Sequence, residues 1–203
     1  MINHVKTNWA GKFLIKHRFA ILSAVIVCSL VAAIELYEGR SLFGPDGTFG
    51  WWDGNVWGSE NSQRVADAYS FSHIIHGMLF YGILWLAARK FPRFIIKYRF
   101  LWAILLEAGW ELLENSPIII NRYREATIAQ GYVGDSVLNS VSDVCMMIVG
   151  FIIARYAKVW MTILLIVAFE VGCLFWIRDN LTLNVLMLVH PVESVKAWQS
   201  EGK

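Results

Sequence analysis

The sequence predicts an all-α fold, a polytopic membrane helix bundle, and three observations carry that prediction. Of 203 residues, 57% are hydrophobic and only 17% charged, whereas soluble domains run near a quarter charged and below half apolar. Mean hydropathy is +0.48. Apolar stretches of the roughly 20 residues needed to cross a bilayer recur along the chain, and the basic residues cluster between them on alternate connections.

Five spans are expected, over about 19–37, 71–88, 99–116, 135–154 and 159–177, within a single integral membrane domain covering 1–203. The first follows Lys6, Lys12, Lys16 and Arg18; it is long, and no small-residue cleavage site follows it, so it reads as an uncleaved anchor rather than a secretory signal. Arg89, Lys90, Arg93, Lys97 and Arg99 fill the second connection, and Arg155 and Lys158 flank the end of the fourth span. The outer loop 38–70 instead carries Asp46, Asp53, Glu60 and Asp67 against Arg40 and Arg64. The positive-inside rule then puts the N-terminus in the cytoplasm and the C-terminus outside, in a bacterial inner membrane whose far side is the periplasm. The loop, rich in Gly and Trp, is expected to lie on the membrane surface as a lid. The run Leu181 to Val189 is too short to span and stops at Pro191, so a short interfacial C-terminal helix is expected there.

Net charge is +2, which with basic residues confined to span ends argues against a nucleic-acid partner and for membrane lipid. Cys28, Cys145 and Cys173 all sit inside apolar runs, without a metal-type CxxC spacing, and read as small hydrophobes.

The informative residues are polar ones where hydrocarbon is expected. An ionisable side chain at the centre of a span costs about 2.5–3.5 kcal/mol even on the lenient insertion scale. Glu107, Glu111 and Glu114 step by four and three along one face of the third span, Asp135, Asn139 and Asp143 step by four along the fourth, and His73 and His76 are neighbours on the second. With the orientation above, all fall in the outer half of the bilayer, Asp143 roughly 12 Å in. Glu170 on the fifth span falls in the same half, while Glu35 at the end of the first reads as interfacial. The inner halves are nearly pure hydrocarbon, which leaves a transporter no path. Each feature also has a plain reading: Asp135 as the N-cap of the fourth helix, Asn139 as helix–helix glue, Glu111 and Glu114 as partners of Arg122 or Arg124.

Two histidines with several carboxylates form a ligand set for a divalent metal (Zn, Mn or Fe). His73, His76, Glu107 and Asp135 are the expected ligands, Glu111, Glu114 and Asp143 the expected acid–base residues, and Arg122, Arg124 and Asn139 the expected substrate contacts. This chemistry suits a metal-dependent hydrolase or modifying enzyme acting on a lipid or lipid-linked substrate. A metal-free version would have Glu107 and Asp143 share a proton as an acid dyad. The alternative from another class is a non-enzymatic ligand-binding or assembly factor using the same polar face.

The segments Trp52-Asp53-Gly54-Asn55-Val56, Ser59-Glu60-Asn61-Ser62-Gln63 and Ser72-His73-Ile74-Ile75-His76-Gly77 belong together with Trp110-Glu111 through Glu114-Asn115. With Arg122-Tyr123-Arg124-Glu125-Ala126-Thr127, Gly134-Asp135-Ser136, Asn139-Ser140 and Asp143, they give the chain a resemblance to a small family of uncharacterised bacterial inner-membrane proteins of unknown function. The resemblance covers nearly the whole chain. It implies the same five-span layout and a motif-rich outer face, and it supplies no activity. Many members of that family carry cysteines in the first outer loop, and this chain has none near Phe43-Gly44-Pro45, so the resemblance implies no thiol role there. The Gly134-Asp135-Ser136 stretch with its downstream Asn and Asp is also loosely similar to teicoplanin-resistance-like proteins.

Overall fold

The computed structural model describes residues 9–127 and 131–202, with side chains from His17 onward and excepting Arg93. The expected basic residue Lys6, and the side chains of Lys12, Lys16 and Arg93, lie outside what is described. Eight helices occur among the described residues: α1 (Trp9–Tyr37), α2 (Ser70–Lys90), α3 (Pro92–Glu114), α4 (Pro117–Ala126), α5 (Val137–Tyr156), α6 (Val159–Ile177), α7 (Leu181–Val189) and α8 (Glu193–Ser200). The only strand pairing among these residues is a two-residue parallel bridge of Trp52 and Asp53 (β1) with Ala66 and Asp67 (β2). The protein is an all-α helical bundle.

Four helices are long and apolar enough to cross a membrane: α1 from His17, α2, α5 and α6. The fifth long helix, α3, carries the acidic stripe that lowers its hydropathy, and it packs beside α1, α2 and α5. Its large outward residues are hydrocarbon, with Leu105, Leu106 and Leu113 exposed. The same holds for α6, where Ile163, Leu164, Val167 and Phe175 face outward. Such faces are stable where the surrounding solvent is lipid.

The boundaries differ from the sequence expectation for physical reasons. The basic connection is almost entirely helical: α2 runs through Lys90 and α3 starts at Pro92, which suits a first helical position, and leaves only Phe91 between them. α3 then kinks at Tyr98, whose φ of −118° and ψ of 20° are not helical. Ser136, and not Asp135, is the N-cap of α5, its hydroxyl accepting the Asn139 N–H at 3.2 Å. Asp135 is therefore free for other partners. Beyond Pro191 the chain forms a further helix, α8, that the sequence reading left out.

The core lies below the polar region. Val27 and Val31 of α1, Leu84 of α2, Ala103, Ile104 and Ala108 of α3, and Val144, Met147 and Phe151 of α5 form one buried cluster. α2 and α5 approach backbone to backbone. A Cβ on Gly77 would lie 1.9 Å from the Met147 carbonyl oxygen, and one on Gly150 would lie 1.9 Å from that of Ile74. Small residues at a crossing permit such contact between membrane helices.

The outer loop folds over the N-terminal end of α5. Gln63 Nε2 donates to the Gly134 carbonyl at 2.8 Å, Ser136 Oγ to the Gln63 carbonyl at 3.1 Å, and Asn139 Nδ2 to the Arg64 carbonyl at 2.9 Å. Asp67 organises the end of the loop, accepting the N–H groups of Ser62, Tyr69 and Ser70. Arg64 pairs with Asp46 at 2.9 Å and Glu60 at 2.8 Å. Hydrogen bonds from Thr48 and Arg64 hold the Asp46 carboxyl down at about 2. Trp52 stacks on Trp176 at 5.8 Å, tying the loop to the C-terminal end of α6.

Candidate functional site

His73 is the hub of the site. It is buried on the first turn of α2, between α3 and α5. Its Nδ1 lies 2.6 Å from Glu107 Oε1 and 3.2 Å from Glu111 Oε1, and its Nε2 lies 3.7 Å from Asp143 Oδ2. One turn along, His76 Nδ1 lies 3.1 Å from Glu107 Oε2 and 3.3 Å from Oε1. The helical spacing of the two histidines thus converges on one carboxylate from the neighbouring helix. Asp143 also accepts from Ser70 Oγ at 3.3 Å, and Ser70 in turn accepts the Asp67 N–H.

The charge balance of this cluster is lopsided. Glu107, Glu111 and Asp143 are all buried, and among the described residues the only cationic candidates in contact with them are the two imidazoles. Nδ1 can carry one proton, which the 2.6 Å contact directs at Glu107. Glu111 lies 3.2 Å from the same nitrogen, yet neither of its oxygens has a hydrogen-bond partner. An uncompensated buried carboxylate costs several kcal/mol. Glu111 therefore calls for a proton or a cation.

A metal ion is one answer the donors permit. His73, His76 and Glu107 each present a ligand atom, all within 4.8 Å of one another. The 3.3 Å between Glu107 Oε1 and His76 Nδ1 matches the separation of about 3.3 Å that bonds near 2.0 Å impose between tetrahedral ligands, whereas the 2.6 Å to His73 Nδ1 is a hydrogen bond that an ion would have to open. Two imidazoles and a carboxylate suit Zn, Mn or Fe. The group could hold a metal ion.

Asp135, expected as a fourth ligand, stands in an adjoining network instead. Tyr132 donates to its Oδ1 at 2.8 Å, and Asn115 bonds it twice, accepting its N–H at 2.7 Å and donating to Oδ2 at 3.1 Å. Burial raises its carboxyl to about 6, against the pull of the Tyr132 hydroxyl. The same Asn115 Nδ2 lies 3.2 Å from Glu35 Oε1 and 3.1 Å from Ser140 Oγ. Glu35 is fully buried in this network, which corrects its reading as an interfacial residue. Arg40 braces it by donating to the carbonyls of Asn115, at 2.7 Å, and Val133.

Other expected contacts are placed elsewhere. Arg122 donates to the Leu188 carbonyl at 2.7 Å, and Arg124 to the Tyr132 carbonyl at 2.5 Å. Both side chains clamp backbone, and neither pairs with Glu111 or Glu114. Glu170 lies outside the cluster, its two oxygens accepting the Leu181 and Thr182 N–H groups at the start of α7. The imidazole of His73 stands between Glu107 and Asp143, so those two acids do not form a direct dyad.

A cavity of about 430 Å³ opens onto the cluster. His73, His76, Glu114, Asp135, Asn139 and Asp143 line it together with residues that the sequence reading did not single out as contacts: Asn61 and Ser62 of the loop, Tyr69, Tyr123 and Tyr132, and Trp110. The loop residues lie in a motif quoted above, which was the available signal. Tyr123 and Trp110 lie in quoted motifs too, while Tyr69 and Tyr132 had no such signal. Asn184 of α7 closes one side, accepting from Tyr123 at 3.1 Å.

Comparison with known proteins agrees in extent with the sequence motifs. Residues 35–201 match a family described as "Protein of unknown function (DUF2585)". A UPF0314 protein of Sphingopyxis alaskensis is 52% identical over 186 residues, covering 89% of this chain and 95% of that one. Another from Novosphingobium aromaticivorans is 48% identical over 201 residues, 96% and 100% of the two chains. One from Rhizobium etli is 47% identical over 192 residues, 93% and 96%. No solved structure matches the chain.

Proposed function

The chain belongs to this DUF2585 family of uncharacterised bacterial proteins, and we propose that it is a metal-dependent hydrolase of lipid-type substrates, working in the outer half of the inner membrane with its N-terminus cytoplasmic and its C-terminus periplasmic. The observation that supports the reading is Glu111, a fully buried carboxylate with neither oxygen hydrogen-bonded, 3.2 Å from the Nδ1 of His73, which itself lines a cavity shared with the exposed apolar side chains Leu106, Leu113 and Val185. A group so costly to bury is retained where chemistry uses it.

In this reading His73, His76 and Glu107 hold the metal, which supplies Lewis acidity to a scissile ester. Glu111, behind the cavity wall and 3.2 Å from His73 Nδ1, adds negative charge to the metal site. Asp143, held by Ser70, fixes the far side of the His73 ring. Glu114, on the cavity wall, accepts a proton from the attacking water and returns it to the leaving group. Asn139 orients the substrate. The basic connections on one side and the acidic loop on the other support the orientation.

Elemental analysis and an ester-hydrolysis assay on the detergent-purified protein test the proposal. Wild type should hold near-stoichiometric Zn, Mn or Fe, and His76→Ala should lose it while remaining folded. Folded, metal-free and active wild type would leave the carboxylates acting alone. Metal-free and inactive protein would leave the binding or assembly role.

A further inference from the structure

The cavity wall also bears on what the substrate is. It has two ends. Toward the bilayer it is lined by Phe80, Leu106, Trp110, Leu113 and Val185. Leu106, Leu113 and Val185 are 48%, 47% and 48% exposed, so the same side chains belong to the lipid-facing surface and to the cavity. The mouth therefore lies sideways, between α3 and α7, where an acyl chain enters without leaving hydrocarbon. A volume of about 430 Å³ is at the small end for ligand sites. It takes a headgroup and the start of a chain, with the rest left in the membrane.

The inner end is rich in acceptors and has no cation from the protein. No Lys or Arg side chain lines the cavity among the described residues, while Glu114, Asp135 and Asp143 do. Arg122 and Arg124, the nearest guanidinium groups in sequence to this wall, are committed to backbone carbonyls. The Oδ1 of Asn61, also on the wall, is buried with no donor to meet it. A lone buried acceptor is costly until a ligand supplies the hydrogen. A phosphate brings only acceptors and negative charge to such a wall, and one divalent ion at the histidines would still face Glu107, Glu111 and Asp143. A hydroxyl brings the missing donor.

From this wall we infer that the cavity takes an uncharged, hydroxyl-bearing lipid, of the kind represented by a glycerolipid without phosphate. The inference rests on the proposed reading of the same site and names its substrate class. Hydroxyl hydrogens meet Asn61 Oδ1 and the acidic wall, the acyl chain runs out past Leu106 and Leu113, and the first ester falls beside His73.

The test is binding, read apart from turnover. Full-length protein in phosphatidylcholine nanodiscs is titrated with dioleoylglycerol or dioleoyl phosphatidic acid, each with brominated chains, and tryptophan quenching is followed with and without Zn. Trp110→Phe identifies the cavity component. The glycerolipid should bind about tenfold or more tightly than its phosphate counterpart, because like charges oppose the latter. Asn61→Leu should weaken the glycerolipid about three- to tenfold, the worth of one hydrogen bond, and leave phosphatidic acid unchanged. If that variant fails to fold, the wild-type ratio alone decides. Equal or tighter binding of phosphatidic acid, or quenching by neither lipid, overturns the inference. Selective binding without hydrolysis under any metal sustains it and removes the hydrolase proposal. Hydrolysis of the phosphate lipid does the reverse.

Discussion

Replacing Gly77 with alanine probes the contact on which the site's geometry depends. The added methyl would lie 1.9 Å from the Met147 carbonyl oxygen and 2.5 Å from the Phe151 nitrogen, where ordinary contact begins at 3.4 Å. Both neighbours are backbone, so no side chain can swing aside, and α2 and α5 must separate by roughly 1.5 Å. Overpacking costs about 1–3 kcal/mol where neighbours can adjust. Here the upper end, about 3 kcal/mol, is expected. For a chain of this size that lowers the melting temperature by about 6–12 °C. The same separation stretches the His73–Asp143 contact from 3.7 Å to about 5 Å and leaves His73–Glu107 intact, because α3 does not move with α5. The assay is thermal unfolding in maltoside detergent, paired with hydrolysis. Gly82→Ala is the control, since a Cβ there meets nothing within 4 Å and gains about 0.5–1 kcal/mol of helix propensity. If Gly77→Ala melts within a degree of Gly82→Ala, the two backbones are not in contact and the reasoning fails.

Three further outcomes are expected. Glu107→Gln and Asp143→Asn should leave melting in detergent unchanged or raised, because buried charges are often replaceable without loss, and both should abolish hydrolysis; lost stability with retained activity would mark the cluster as structural. Burial raises the Asp179 carboxyl from 3.8 to about 6, against donors that include Asn180, Tyr69 and Gln199. Its proton is held more tightly in the folded state, so the contribution is full below pH 3.8 and is lost as pH rises through 6, a change of about 3 kcal/mol. Asp179→Asn should accordingly gain on wild type in melting temperature from pH 4 to 7.5, and parallel curves would contradict this. A topology reporter fused after Lys97 should read cytoplasmic, and one after Thr127 or at the C-terminus periplasmic; a cytoplasmic C-terminus would undo the orientation.

Much of the site was legible because helices have a period and a bilayer has a depth. The steps of four and three through Glu107, Glu111 and Glu114 fixed one face of α3, and alternating basic connections put that face level with His73 and Asp143. Neither argument reaches the loop. Asn61 and Ser62 arrive at the cavity through turns with no repeat, and only the motif containing them drew attention. Gly77 and Gly150 each look unremarkable in isolation, since their meaning lies in facing another helix 73 residues away along the chain. Arg122 and Arg124 misled for a related reason. A charge beside a polar cluster reads as a ligand contact, but here the nearest unsatisfied acceptors were carbonyls at the ends of α7 and before α5. Glu35 was misplaced because its partner Asn115 lies 80 residues on.

The hydrogen bonds that seat the outer loop on the start of α5 also set an order of assembly. Gln63 finds its acceptor 71 residues later and Arg40 finds one of its own 93 residues later. At translation speeds of 5–20 residues per second, Gln63 waits about 4–14 s before Gly134 is made. Before that interval ends α2 and α3 have been made, Glu114 lying 20 residues ahead of Gly134, so the His73–Glu107 pair can meet while the loop beside it has nothing to close onto. The half-built protein is a bundle with its charged cluster uncovered, and the arrival of the Gly134-Asp135-Ser136 turn seals it. A ribosome paused in the stretch before that turn would leave the nascent chain at its most vulnerable.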